Sequence, residues 1–309
     1  DVFPVKEEFA VRRRILTVLL SMVMMMAIPL TVLAGKPNIK PPVTTEYVGL
    51  GDSIGAGWSA TPGNDYYTLY SAYLRQKALA TATPYLSSNA ALAGLTTTQL
   101  RNEITGISAQ TSTRADLPGA TIVTVSIGGN NLMHPLLQFV ADLYGVSMDD
   151  PNFMTVMGNA VNLDPSKLTN AMAWQILWPA SELRTDLKAG VASFNVDLPF
   201  IMNGIKGLSS GSKIYLLTVY NPVYGNSTLR NFMDEYIDQI NTIIKNNATA
   251  LGYTVVDVAA AFEAYTGTVP LVGFNMAASP ATYDPHPTDA GHKMIYDLLV
   301  LKSTAPTKG

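Results

Sequence analysis

The sequence predicts an α/β protein, a three-layer α/β/α sandwich around a central parallel sheet. Short apolar, β-branched runs recur along the chain, and longer amphipathic segments separate them. Strands alternating with helices imply βαβ units, and right-handed crossovers then cover both faces of the sheet. Glycine- and asparagine-rich turns also sit directly after the apolar runs, where such sheets bind their ligands.

The N-terminus precedes these elements. Arg12, Arg13 and Arg14 lead into an uncharged stretch, residues 15–34, that closes near Leu33-Ala34-Gly35. A positive flank, an apolar centre and a small-residue end fit an export signal, and a predominantly apolar stretch of 20 residues is also long enough to span a bilayer. Residues 1–34 are therefore read as a signal peptide or membrane anchor. Either reading puts the remainder outside the cytoplasm, secreted or held at the membrane through residues 15–34. Residues 35–44 are proline-rich and read as a linker.

From residue 45 the elements follow in order. Glu46–Leu50 reads as a strand, Tyr66–Leu79 as a helix, Pro84–Ser88 as a short strand and Thr98–Ile107 as a helix. Thr121–Ile127 is a β-branched strand. Residues 136–183 then break the alternation, with turn signals at Asp149-Asp150-Pro151 and Asp164-Pro165. This stretch reads as a helical insertion, because it has too few apolar positions for a core of its own. Its Trp174 and Trp178 are four apart on one helical face and read as packing. Lys213–Tyr220 is the next strand, Leu229–Leu251 a helix, Tyr253–Val258 a strand and Thr288–Leu301 the final helix. The domain spans 45–303, with a tail at 304–309 and no internal repeat.

Composition narrows the chemistry. Hydrophobic residues make up 48% and charged ones 14%, enough for a large core. The net charge of −3, with no basic run after the N-terminus, argues against nucleic acid. The absence of cysteine removes disulfides and thiolate chemistry. Of the three histidines, His286 and His292 are six apart, outside helical metal-ligand spacing, so no metal site is expected. A dinucleotide loop fails too, since its third glycine would fall at Ile54.

Acyl transfer needs a hydroxyl, a base, a group to orient the base and donors for an oxyanion. Ser53 in Gly51-Asp52-Ser53-Ile54-Gly55 supplies the hydroxyl on a strand-to-helix turn, where Gly51 and Gly55 permit unusual backbone angles. His286 supplies an imidazole, the side chain best suited to act as a base, and Asp284 is the nearest carboxylate. The backbone N–H groups of Ser53 and Gly94 and the Asn130 amide are the oxyanion donors.

These blocks resemble the GDSL esterases and lipases, or SGNH hydrolases, and the leader resembles the secreted bacterial type. The family is named for Ser, Gly, Asn and His. They fall here on Ser53, on Gly94 five positions after Asn89, on Asn130 in Gly-Gly-Asn and on His286 in His-Pro-Thr. The likeness runs from Glu46 to Leu299. It implies a flavodoxin-like SGNH hydrolase fold and hydrolysis of acyl esters without metal or organic cofactor. Two positions depart from the pattern. Asn131 stands where the family has Asp, and Tyr283 occupies the place of the acid, three before the histidine. Asp284, two before it, can orient the imidazole, or a backbone carbonyl can do so and leave a Ser–His dyad.

Trp58, Asn131 and His134 are candidates for the substrate pocket, with a packing role the alternative for His134. His292 is expected to serve the first turn of the last helix or face solvent. Asp257 reads as a cap and Asp289 as a macrodipole residue. The expected function is a serine esterase or lipase acting on a small-molecule, lipid or glycan ester. The alternatives are a polysaccharide deacetylase and a non-catalytic cell-surface binding module.

Overall fold

β1 (Thr45–Gly51) is an inner strand of the sheet in the structure, a computed structural model that describes residues 44–108 and 112–305. The expected signal, most of the linker and the last four residues lie outside the described residues. β2 (Tyr85–Asn89), β3 (Ile122–Ser126), β4 (Lys213–Leu217) and β5 (Thr254–Val256) complete a parallel five-stranded sheet in the order β2-β1-β3-β4-β5. The chain reverses direction across the sheet between β1 and β3. That reversal opens a crevice at the strand carboxyl ends.

Side-chain alternation explains the layers. Val48, Leu50, Val123, Val125, Ile214 and Leu216 point into one core, while Tyr47, Tyr215, Leu217 and Val256 point into the other. The second core is closed by α1 (Tyr66–Ala80), α9 (Val258–Glu263) and α10 (Asp289–Thr304). Tyr66, Tyr70, Leu74 and Ala78 recur every fourth residue as the buried stripe of α1, and Asp65 caps its first turn by accepting from the Thr68 N–H at 2.8 Å. The first core is covered by α2 (Thr97–Thr105), α4 (Gly129–Tyr144), α5 (Phe153–Leu163), α6 (Pro165–Leu177), α7 (Glu182–Leu208) and α8 (Ser227–Leu251). A one-turn helix, α3 (Ser112–Asp116), precedes β3. The molecule is the expected three-layer α/β/α sandwich.

The helical stretch read as 136–183 is part of a longer helical run from Gly129 to Leu208. Its Met157, Val161, Leu168 and Met172 join the main core. α7 carries no clear sequence signal, because Gly190, Gly204, Gly207 and Pro199 interrupt its pattern. A second difference is an antiparallel hairpin, β6 (Val272–Asn275) with β7 (Thr282–Pro287), in a stretch for which the sequence predicts no element. β4 and β5 are shorter than expected, because the chain leaves the sheet at Leu217 and Val256 to line the crevice and cap α9.

Candidate active site

β1 ends pressed against β3. Gly51 has φ +127°, and a Cβ there would lie 1.8 Å from the Ser126 carbonyl oxygen. Only glycine allows that approach. The Asp52 N–H donates to the same oxygen at 2.9 Å, which leaves Ser53 at the carboxyl end of the sheet. Beyond Ser53 the chain does not enter a helix as expected. The Ala56 and Trp58 N–H groups bond back to the Asp52 and Ser53 carbonyls, and α1 begins only at Tyr66. Nor does Gly55 adopt the expected unusual backbone angle. Its need is steric, since a Cβ would meet the Ala91 Cβ at 2.9 Å.

β7 carries the base. Tyr220, three residues beyond β4, donates its hydroxyl to the Pro285 carbonyl at 2.7 Å and fixes the strand. His286 Nε2 lies 2.9 Å from Ser53 Oγ, and its Nδ1 lies 2.5 Å from Asp284 Oδ1. The same Oδ1 accepts the His286 backbone N–H at 3.1 Å, and Oδ2 accepts the Ser59 hydroxyl at 2.6 Å. Burial pushes the Asp284 carboxyl up, but the imidazole and the Ser59 hydroxyl outweigh it and hold it below its ordinary range. Nδ1–H therefore donates to Asp284, leaving Nε2 to accept the Ser53 proton. Of the two orienting groups left open by the sequence, the carboxylate is the one in contact. Tyr283, at the family's usual acid position, is turned to α5, where its hydroxyl donates to Asn162 Oδ1 at 3.4 Å.

Among the described residues, neither the Ser53 nor the Gly94 N–H is taken by another group. Asn130 comes from the first turn of α4 and gives one amide hydrogen to the Leu95 carbonyl at 3.1 Å. Its second hydrogen is left for a ligand, and both Gly94 and Asn130 line the same cavity as Ser53. Asn131, expected in the pocket, is instead buried behind it. It accepts the Thr97 N–H at 3.0 Å and donates to Thr97 Oγ1 at 2.7 Å and to the Gly190 carbonyl at 3.2 Å. Asp197 continues this network, accepting from Thr97 and Thr98 and pairing with Arg101 at 2.7 Å. The reason for the displacement is helical phase. Asn130 and Asn131 are successive residues of α4 and point about 100° apart.

The cavity measures about 460 Å³ and is walled by apolar side chains, among them Leu132, Met133, Leu137, Phe153, Met154 and Ile237. Trp58 and His134 also line it, and the Trp58 ring lies 5.5 Å from that of His286. Burial lowers the His134 pKa, so this ring is neutral at neutral pH.

Several residues differ from their expected roles or carried no signal. His292 is fully buried. It donates from Nε2 to the Trp58 carbonyl at 3.1 Å and accepts the Tyr66 N–H on Nδ1 at 3.4 Å, so the last helix braces the pocket wall. Asp257 does cap α9, and Asp289 additionally holds the Thr61 N–H and the Asn64 amide. Trp174 and Trp178 are not core residues. They stack on each other in the open, 59% and 51% exposed. Asp52 is buried beside Ser53, and burial pushes its carboxyl up to about 7 against the Ile54 N–H and Ser126 hydroxyl that favour its charge. Ser59 was equally silent, because its partner is 225 positions away.

Among the described residues no helix is long and apolar enough to cross a membrane, and no group of three or more carboxylates and histidines could hold a metal ion. Solved structures share the fold. A lipase from a goat rumen metagenome aligns with a TM-score of 0.53 at 16% identity, covering 84% of this chain and 97% of that one. An extracellular lipase from Streptomyces rimosus aligns at 0.51 and 18%, covering 85% and 100%. A catalytic mutant of an acetylxylan esterase from Geobacillus stearothermophilus aligns at 0.51 and 17%, covering 86% and 98%. At these identities the likeness is one of fold. No curated protein matches the sequence. The model of one family does match, from residue 50 to residue 294, a span that takes in all four motif blocks and well over half the length. On that match the chain belongs to the GDSL-like lipase/acylhydrolase family.

Proposed function

We propose that the protein is a serine esterase that cleaves esters of medium or long acyl chains through an acyl-enzyme. The observation that carries this is the Ser53–His286–Asp284 relay, at 2.9 and 2.5 Å, opening onto an apolar cavity. Ser53 Oγ attacks the ester carbonyl while His286 Nε2 takes its proton, and Asp284 stabilises the imidazolium. The N–H groups of Ser53 and Gly94 and the Asn130 amide hold the oxyanion. As the C–O bond breaks, His286 returns the proton to the leaving alkoxide. Water then attacks the acyl-enzyme, giving its proton to His286, and the carboxylic acid leaves as Ser53 is reprotonated.

The acyl chain, rather than the alcohol, is assigned to the cavity because its walls offer few hydrogen-bond partners. An acetyl group would leave most of about 460 Å³ unfilled, which disfavours the deacetylase reading. The charge-free stretch 15–34 supports action outside the cytoplasm. A fluorophosphonate probe should label Ser53 and nothing in Ser53→Ala. Along a series of p-nitrophenyl esters from acetate to decanoate, kcat/KM should climb by up to about fourfold per methylene until the cavity fills. A maximum at acetate would overturn the substrate assignment, and an unlabelled Ser53 would overturn the mechanism.

A further inference from the structure

We infer that the α5–α6 arm is a docking surface for neutral or zwitterionic lipid, which would set the cavity against the aggregate holding its substrate. The inference rests on the acyl-ester reading above and begins from exposure. These two helices and the residue after them leave Met154, Val156, Leu163, Trp174, Leu177 and Trp178 at the surface, with Leu163 87% and Leu177 78% exposed. Single exposed apolar residues are ordinary, whereas a cluster of six on two neighbouring helices marks an interaction site.

Charge identifies the partner. From Pro151 to Ser181 the chain has 31 residues and only two charged side chains, Asp164 and Lys167. Both are engaged locally. Asp164 caps α6 by accepting from the Lys167 N–H and the Ser166 hydroxyl, and the Lys167 ammonium lies over the Tyr144 ring. A surface without free cations gains nothing from anionic headgroups, so the match is to uncharged or zwitterionic lipid. Tryptophan suits that boundary, with an apolar body and one polar N–H. A sugar platform fits less well. The two indoles stack at 5.4 Å and 8°, so each covers one face of the other and only the two outer faces are left for a pyranose.

Continuity with the site supplies the purpose. Met154 is both exposed and part of the cavity wall, and Phe153 beside it lines the same cavity. α5 also touches the hairpin that carries the base, through Tyr283 to Asn162 and Asn162 to the Ala281 carbonyl. A lipid surface resting on the arm therefore meets the wall of the acyl cavity, and a chain drawn from it need not cross open water.

The test is sedimentation with phosphatidylcholine vesicles, using the full chain with Ser53→Ala so that the vesicles stay intact. The parent's tryptophan emission should shift to the blue on vesicle addition, and adding Trp174→Gln and Trp178→Gln should lower partitioning about tenfold or more. Residues 15–34 are common to both proteins, so the difference reports the arm alone. With Ser53 restored, the double variant should hydrolyse a soluble butyrate ester at the parent rate, which establishes that it is folded. If it does not fold, Leu177→Asp tests the same surface and should also lose vesicle binding. Equal partitioning of parent and variant overturns the inference, as does loss of binding to insoluble xylan in place of vesicles. Absence of butyrate hydrolysis in the parent would instead count against the esterase reading, independently of docking.

Discussion

Asp284 serves three donors at once: the His286 ring, the His286 backbone and Ser59. Holding its own residue's neighbour by ring and backbone lets an acid two positions before the histidine do what the family's usual spacing does, with Pro285 stiffening the link. Replacing Asp284 by Ala should therefore cost about 10⁴ in kcat, as for other triad acids. Ser59→Ala, which leaves Oδ1 in place, should cost only several-fold with KM unchanged. A mild loss in Asp284→Ala would mean a Ser–His dyad. Asn130→Ala should lower kcat by about 10²–10³ through loss of an oxyanion donor, measured on the same soluble ester. Ser53, Gly94, Asn130 and His286 were legible because each sits in a short local motif. Ser59 was not, because nothing in a sequence brings position 59 to position 284.

Among the elements, α4 illustrates how one helical turn divides labour. Asn130 faces the cavity, while Asn131 ties α4 to the start of α2 and to the Gly190 carbonyl of α7. An aspartate at 131 could accept from Thr97 but could donate to neither Thr97 nor Gly190. Asn131→Asp should therefore destabilise the fold by about 1–3 kcal/mol, read from urea unfolding. The parallel strands and their helices were readable from period and β-branching. The β6–β7 hairpin was not, because Pro285 and Pro287 interrupt any strand pattern there. In a two-stranded ribbon, prolines are tolerated where no ladder N–H is required. α7 escaped for the opposite reason, as glycines and a proline mask a helix held by its buried face, which includes Leu187, Phe194, Leu198 and Ile201.

For the whole molecule, Asp52 links stability to pH. Burial pushes its carboxyl up to about 7, whereas in the unfolded chain it titrates near 4. Between those values the folded protein holds one more proton than the unfolded one, so this group makes stability fall as pH rises from 4 to 7, by up to about 1.4 kcal/mol per unit. Asp52→Asn keeps the acceptor for Ile54 and Ser126 and should flatten that part of the profile. Chemical denaturation at pH 5 and 7 compares the two proteins, and an unchanged slope would show that Asp52 is not its source. The sheet places Ser53 at one end of the sequence and the hairpin places His286 near the other, 233 positions apart. A chain still emerging from the ribosome thus carries Ser53 with no imidazole beside it. The Ser53–His286 contact forms only when the last strand and helix settle, so the topology holds back assembly of the site until the chain is almost fully made.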